Sequence, residues 1–287
     1  MARSRRVVAA GEGFVVCDVR CQAPGPAWSP PEVAQGLVLV FVRAGSFCRR
    51  VNGRERFMDA VSAYFDIPGG EQQIAHPGSG GDACTAIELS EGLAGVLADD
   101  DPARISEPRL TPAGAALAVQ LLTRQAGRAD RFEVTETVIR LVSAAMTGPG
   151  RLPSPPRATT QTAWLSLADG TKQILSSDPG ASLHQLARRQ SVSPHHLSRV
   201  FHASTGTTVS AYRNQLRVRE ALERLAEGER SLTGLASDLG FADHAHMTRT
   251  VRREAGTVPS ALRRLLTACE VRGARTEGRT RGSRGEV

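Results

Sequence analysis

Five of the seven histidines in this chain of 287 residues fall into two short stretches, SVSPHHLSRVFHASTG (191–206) and GFADHAHMTRTVRREAG (240–256). Imidazoles this close together first suggest metal ligation or acid–base chemistry. The spacing argues against a metal. Ligand pairs on one helix need i,i+3 or i,i+4 separation, and neither His195 with His196 nor His196 with His202 has it. Each helical residue advances the chain by about 100°, which turns His196 and His202 well apart. His244 and His246 fail in the same way. The two stretches do share a helix-start signal, an arginine and a closing glycine. That pattern suits a helix whose outer face touches a partner.

The cysteines offer a second chemistry. Five at irregular spacing is an odd count, which fits reduced thiols better than a disulfide framework. Buried inert thiols are the default reading of Cys17, Cys21, Cys48 and Cys84. The sharper reading is a thiol or metal sensor made by Cys21, His76 and Cys84, since the run IAHPGSGGDACT (74–85) supplies two of them from one loop. Cys17, Cys21 and Cys48 are superficially similar in spacing to a four-cysteine zinc site that accepts methyl groups from damaged DNA. Val51 stands where the fourth ligand belongs. No Gly-x-Ser-x-Gly nucleophile motif occurs. No catalytic residue, metal or cofactor is therefore assigned, and the expectation is a protein that is not an enzyme.

The elements that must position the histidines and arginines form a repeat. Leu183, Leu186 and Ala187 match Leu232, Leu235 and Ala236 at an offset of 49. After one inserted residue, Arg199, Gly206, Ser210-Ala211 and Arg213 match Arg249, Gly256, Ser260-Ala261 and Arg263 at an offset of 50. Each copy reads as helix, short turn, helix. In the first, Ser191-Val192 makes the turn, Ser193 caps the second helix and Pro194 takes its first position. Leu197, Val200, Phe201 and Ser204 line its inner face, and Gly206 ends it. In the second, Gly240 turns, Asp243 caps, Met247, Thr250 and Val251 face inward, and Gly256 closes. Residues 209–228 read as one helix joining the copies. A helix fits the major groove of B-DNA, and successive groove faces lie about 34 Å apart. The outward positions are His195, Ser198, Arg199 and His202 in one copy and His244, Ala245, Thr248, Arg249 and Arg252 in the other. Arginine can grip guanine O6 and N7 in a bidentate fork, and Ser and Thr add adaptable hydrogen bonds.

Charge agrees with a polyanion partner for the back half. Residues 1–150 carry 15 Arg against 17 Asp and Glu, whereas residues 163–268 carry 13 Arg and Lys172 against 9 acids. Residues 14–90 look β-rich. GLVLVFVRAGSFCRRV and RERFMD read as two strands joined at Asn52-Gly53, and VSAYFDIPGG and CTAIELS as further strands. Residues 110–126 and 131–146 switch to helical periodicity. The Pro- and Gly-rich stretch 148–162 reads as a linker, 163–268 as all-helical, and the tail 269–287 as disordered. No run of about 18 apolar residues predicts a membrane span, and no signal peptide is read, so the expected location is cytoplasmic.

LARRQSVSPHHLSRVFHASTG (186–206), followed by Ala221 and Leu225 and then GFADHAHMTRTVRREAGTVPSALR (240–263), resembles the AraC/XylS family of transcription regulators. Its most specific marks are GF-x-D, R-x-x-x-x-x-x-G and T-x-P. The resemblance covers about 163–268. It implies two helix-turn-helix units in adjacent major grooves of double-stranded DNA, with Arg199 and Arg249 as principal base readers. This chain has Met247 and Val251 where the family usually has aromatics, and Arg224-Leu225 where it has Leu-Leu. The front region, 1–147, resembles the cupin-like sensor or dimerisation domain of many members. His76 is its only histidine, so the two-histidine-plus-glutamate pattern of metal cupins is missing. The expected fold is α+β multidomain: a β-rich cupin-like N-terminal domain with two following helices, then an all-α double helix-turn-helix domain. The resemblance implies an activator that contacts RNA polymerase, an unknown small-molecule effector and a homodimer through 110–146. The alternative is an enzyme, or a thiol or metal sensor domain, fused to a DNA-binding module.

Overall fold

The computed structural model describes residues 3–22, 25–78, 80–97, 108–111, 114–125, 130–146 and 158–267. Nine strands come first: β1 Arg3–Gly11, β2 Phe14–Cys21, β3 Glu32–Val33, β4 Leu37–Ala44, β5 Ser46–Val51, β6 Arg54–Asp59, β7 Ser62–Asp66, β8 Glu71–Ala75 and β9 Asp82–Leu89. Helix α1 (Glu91–Leu97), the short β10 (Arg109–Leu110), α2 (Ala115–Gln125) and α3 (Arg131–Met146) complete the front domain.

All strand pairs are antiparallel, in two sheets ordered β1-β2-β9-β4-β7-β10 and β3-β8-β5-β6. Strands β2 to β9 nest as successive pairs: β5 with β6, β4 with β7, β3 with β8, and β2 with β9. A long hairpin rolled up in this way is a jelly roll, the architecture that cupins share. The front domain is thus β-rich and cupin-like, as expected; α2 and α3 are the two expected helices, α1 was not foreseen, and Leu110, read into the first helix, lies in β10.

The larger sheet is buried on both faces, which explains its continuous apolar runs. Val16, Leu39, Phe41, Phe65 and Ile87 pack with Val119, Leu122, Val138 and Leu141 of α2 and α3. Their neighbours Cys17, Val40, Val42, Tyr64 and Ala86 point the other way and pack with Phe47 and Met58 of the smaller sheet. At the β5–β6 hairpin, Asn52 and Gly53 take φ of 48° and 76°, the two positive values that a tight primed turn requires. The stretch read as one strand, GLVLVFVRAGSFCRRV, is divided. Gly45, at φ 75°, separates β4 from β5 and sends them to different sheets.

The back domain comprises α4 (Ala158–Ser177), α5 (Leu183–Arg189), α6 (Pro194–Thr205), α7 (Val209–Ala226), α8 (Leu232–Asp238), α9 (His244–Ala255) and α10 (259–267). Helix α4 starts at Ala158, within the stretch 148–162 read as a linker. The rest of that stretch, 148–157, and the tail 269–287 lie outside the described residues.

Candidate nucleic-acid interface

Each helix-turn-helix unit is built by local rules. Ser182 caps α5 reciprocally: its hydroxyl accepts from Gln185 N (3.3 Å), and Gln185 Oε1 accepts from Ser182 N (2.8 Å). Ser191 holds a positive φ of 55° in the first turn, and Gly240 one of 69° in the second. Val192 N donates to Ala187 O (3.0 Å), and Phe241 N donates to Ala236 O (2.9 Å), so the two turns superpose in hydrogen bonding up to that point. The first unit then reaches its cap, Ser193, in one residue, whereas the second has Ala242 before Asp243. Ala242 is the insertion that changes the offset from 49 to 50.

Both caps accept from the third helical residue, Ser193 from His196 N and Asp243 from His246 N. Pro194 occupies the first position of α6. Both second helices end on a left-handed glycine, Gly206 at φ 74° and Gly256 at φ 75°.

The inner faces are closed. Leu197, Val200 and Phe201 of α6, and Met247 and Val251 of α9, are each 0% exposed, and Thr250 is 2% exposed. Ser204, read as an inner position, is only half-buried, and the buried residue of that turn is Thr205. Phe201 meets Tyr212 of α7 edge-on at 5.4 Å between centroids. Met247 and Val251 fill their unit without the aromatics usual there, helped by Phe241, Leu262 and Leu266.

The outer faces carry the residues singled out from the sequence. His195, Arg199 and His202 of α6 are exposed and Ser198 is half-buried. On α9, His244, Ala245, Arg249 and Arg252 are exposed and Thr248 is half-buried. His196 and His246 sit at half-buried edges. His246 packs edge-on against Phe241 at 5.4 Å, and its Nδ1 accepts from Ala242 N at 3.4 Å.

Charge on these faces is left uncompensated. Among the described residues, Arg199, Arg249 and Arg252 form no ion pair, whereas some cations away from these faces do. Arg189 reaches Asp178 at 3.0 Å, and Arg224 reaches Glu229 at 2.8 Å and Asp238 at 2.9 Å. Helix α6 contains no acid, and α9 contains only Glu254 near its end. Helix α7 separates the units. Its 18 residues span about 27 Å at 1.5 Å per residue, a length on the scale of one turn of B-DNA.

Residues 186–265 match the family model described as a helix-turn-helix domain. The chain carries a helix-turn-helix domain of the kind that model describes. Curated relatives agree over this domain. The HTH-type transcriptional regulator RipA of Corynebacterium glutamicum is 36% identical over 112 residues, which is 38% of this chain and 32% of that one. The bifunctional transcriptional activator/DNA repair enzyme Ada of Escherichia coli is 31% identical over 109 residues, 38% of this chain and 30% of that one. The transcriptional activator RhaS of Pectobacterium carotovorum is 36% identical over 78 residues, 27% of this chain and 28% of that one. The chain thus spans about a third of the length of the curated relatives it matches.

The helix-turn-helix domain is locked to the jelly roll by contacts that no sequence motif announced. Asp59, at the end of β6, accepts from the Tyr212 hydroxyl of α7 and from Ser176 Oγ of α4 (3.5 Å). Asp169 of α4 is bound by Arg56 Nε of β6 (2.8 Å) and Lys172 Nζ (3.1 Å). Those two cations pull its carboxyl below the usual range, overcoming its burial. Gln120 of α2 donates to Glu223 of α7 at 2.5 Å, and Arg124 reaches the same carboxylate at 3.4 Å. Ala116, Leu117 and Leu121 of α2 enter the core of the second unit.

Of the sensor trio read from the sequence, Cys21 and His76 draw together with Asp82 in the place expected for Cys84, whose thiol bonds to Asp82 from outside the cluster. Cys21 lies on the antiparallel register pair with Asp82, His76 Nε2 is 2.6 Å from Asp82 Oδ1, and the Cys84 thiol donates to Asp82 Oδ2 at 3.2 Å. Asp82 is the member that sequence reading missed. It was visible two residues before Cys84 in the same run. No helix among the described residues is long and apolar enough to cross a membrane.

Proposed function

We propose that the protein is a sequence-specific transcription regulator, an activator, in which α6 and α9 enter successive major grooves of one face of double-stranded DNA. The observation that carries this is the pair of cationic, acid-poor outer faces at matched positions on either side of α7. Arg199 and Arg249 are the base readers. His195, Ser198, His202, His244, Thr248 and Arg252 share the remaining base-edge and phosphate contacts. The names of the relatives, two of which are called transcriptional activators, support the regulatory role and its sign. Contact with RNA polymerase follows from the family resemblance.

The jelly roll is the controlling domain of this reading, taking a small effector or a second copy of the chain. Within the segment 110–146 proposed for a homodimer, α2 already spends its apolar side on the second unit. Helix α3 offers Phe132, 74% exposed, and Ile139, 51% exposed, seven residues apart on one face. That stripe of α3 is the dimer face we propose.

Selection from random DNA fragments by the full-length protein, at about 150 mM salt with excess competitor, tests the reading. Recovered sites are expected to share two short blocks about one helical turn apart. Enrichment of a single block, or of none by both the full chain and residues 158–267, rejects it.

A further inference from the structure

Between the two sheets of the jelly roll lies a cavity of about 110 Å³. Apolar side chains such as Val19, Val40, Phe47 and Ile74 share its lining with charged ones such as Arg5, Asp66 and Glu88. Within that lining Cys21, His76 and Asp82 bring a thiol sulfur, an imidazole nitrogen and a carboxylate oxygen within 4.8 Å of one another. The three side chains come from different segments: the end of β2, the residue following β8 and the start of β9. His76 is 0% exposed; its Nε2 faces Asp82 Oδ1 at 2.6 Å, and among the described residues its Nδ1 has no hydrogen-bond partner.

We propose that Cys21, His76 and Asp82 form a binding site for a single thiophilic divalent transition-metal ion of the zinc or cobalt class. A tetrahedral ion with bonds of about 2.0–2.3 Å holds its ligand atoms about 3.3–3.8 Å apart. His76 Nε2 and Asp82 Oδ1, 2.6 Å apart, would open to that range, and the Cys21 sulfur lies within 4.8 Å of both residues' ligand atoms. On loading, the sulfur–metal bond forms as the Cys21 S–H bond breaks, and the proton leaves to solvent. One thiolate and one carboxylate then cancel the charge of a divalent ion, so the loaded site buries no net charge. Sulfur with imidazole selects zinc-class ions over magnesium or calcium, which prefer all-oxygen sets.

Cys84 is a positioning residue. Its thiol donates to Asp82 Oδ2 and orients the carboxylate from behind. Gly45 is a second positioning element: a Cβ there would lie 2.0 Å from Gly81 O and 2.9 Å from Asp82 Cα, so its bare backbone sets where β9 begins. Three protein ligands leave the fourth position open to the cavity.

The test is a Co²⁺ titration of the full-length, reduced, metal-stripped protein. One ion per chain is expected, with a thiolate-to-cobalt charge-transfer band that Zn²⁺ abolishes. Cys21→Ser and His76→Gln should lose the band. Cys48→Ser and Cys269→Ser should keep it, and Cys84→Ser should bind about ten- to a hundredfold more weakly. X-ray absorption of the Zn²⁺-loaded wild type reads the ligand set without any variant, and a sulfur plus nitrogen and oxygen shell is expected. A wild type without the thiolate band, a band that survives Cys21→Ser, or a zinc shell without sulfur would overturn the proposal. None of these outcomes depends on DNA binding, so the regulatory reading stands or falls separately.

Discussion

Among the described residues, Arg199, Arg249 and Arg252 on the outer faces of α6 and α9 are exposed and have no acid to hold them. An exposed guanidinium without a carboxylate is free to fork onto a guanine edge. Arg199→Ala and Arg249→Ala should each weaken binding at the cognate site by about 1–3 kcal/mol and relax one base position. Competition titrations against single-base operator variants check this, and equal loss on cognate and random DNA would make them phosphate contacts. These residues were legible because a repeat exposes function twice. Matched arginines at an offset of 50 stand out where one arginine among many would not. Asp82 and Tyr212 had no such help. Their roles depend on partners 6 and 153 residues away, His76 and Asp59, and nothing in the local pattern of either names its partner.

Elements with strong local signals were read correctly: the capped starts of α6 and α9, their glycine ends, and the Asn52-Gly53 hairpin. A cap is worth testing because it acts within one turn. Ser193→Ala and Asp243→Ala should each lower stability by about 0.5–2 kcal/mol, with Ser193→Gly costing only a few tenths. Denaturant midpoints at unchanged slope measure it, and an Ala variant as stable as the wild type would show the hydroxyl to be unimportant. Where long-range contact decides, sequence reading failed. The break between β4 and β5 comes from the Gly45 backbone meeting Gly81, 36 residues on. Nothing in an apolar run such as LVLVFVRAGSF signals that the chain changes sheet. At φ 75° and with Gly81 O in its path, Gly45→Ala should destabilise by more than about 1 kcal/mol, read in the same unfolding assay. A near-neutral result would mean the two sheets do not meet at this corner.

At the scale of the whole molecule, the jelly roll and the helix-turn-helix domain meet through buried polar groups, and Asp59 is the most heavily bonded of them. It is 1% exposed and accepts from Val61 N (3.1 Å), Ser62 Oγ (3.1 Å), Ser176 Oγ and the Tyr212 hydroxyl. Burial pushes its carboxyl up, and the opposing pull of Lys172 and these donors only partly offsets it. The folded protein therefore holds the Asp59 proton at pH values where the unfolded chain has already released it. A group of this kind favours the native state most below its unfolded value, near 3.8, and loses that contribution as pH rises to the elevated folded value. The sign is opposite to that of Asp169, whose lowered carboxyl stabilises the fold above its ordinary range and ceases to do so as pH falls. Asp59→Asn removes the titration while keeping an acceptor for Tyr212. Urea unfolding of wild type and Asp59→Asn across a pH series should show the wild-type advantage shrinking as pH climbs through that window, then levelling off. A difference independent of pH would mean that Asp59 keeps the same proton in both states, and that the knot between the domains is held by packing alone.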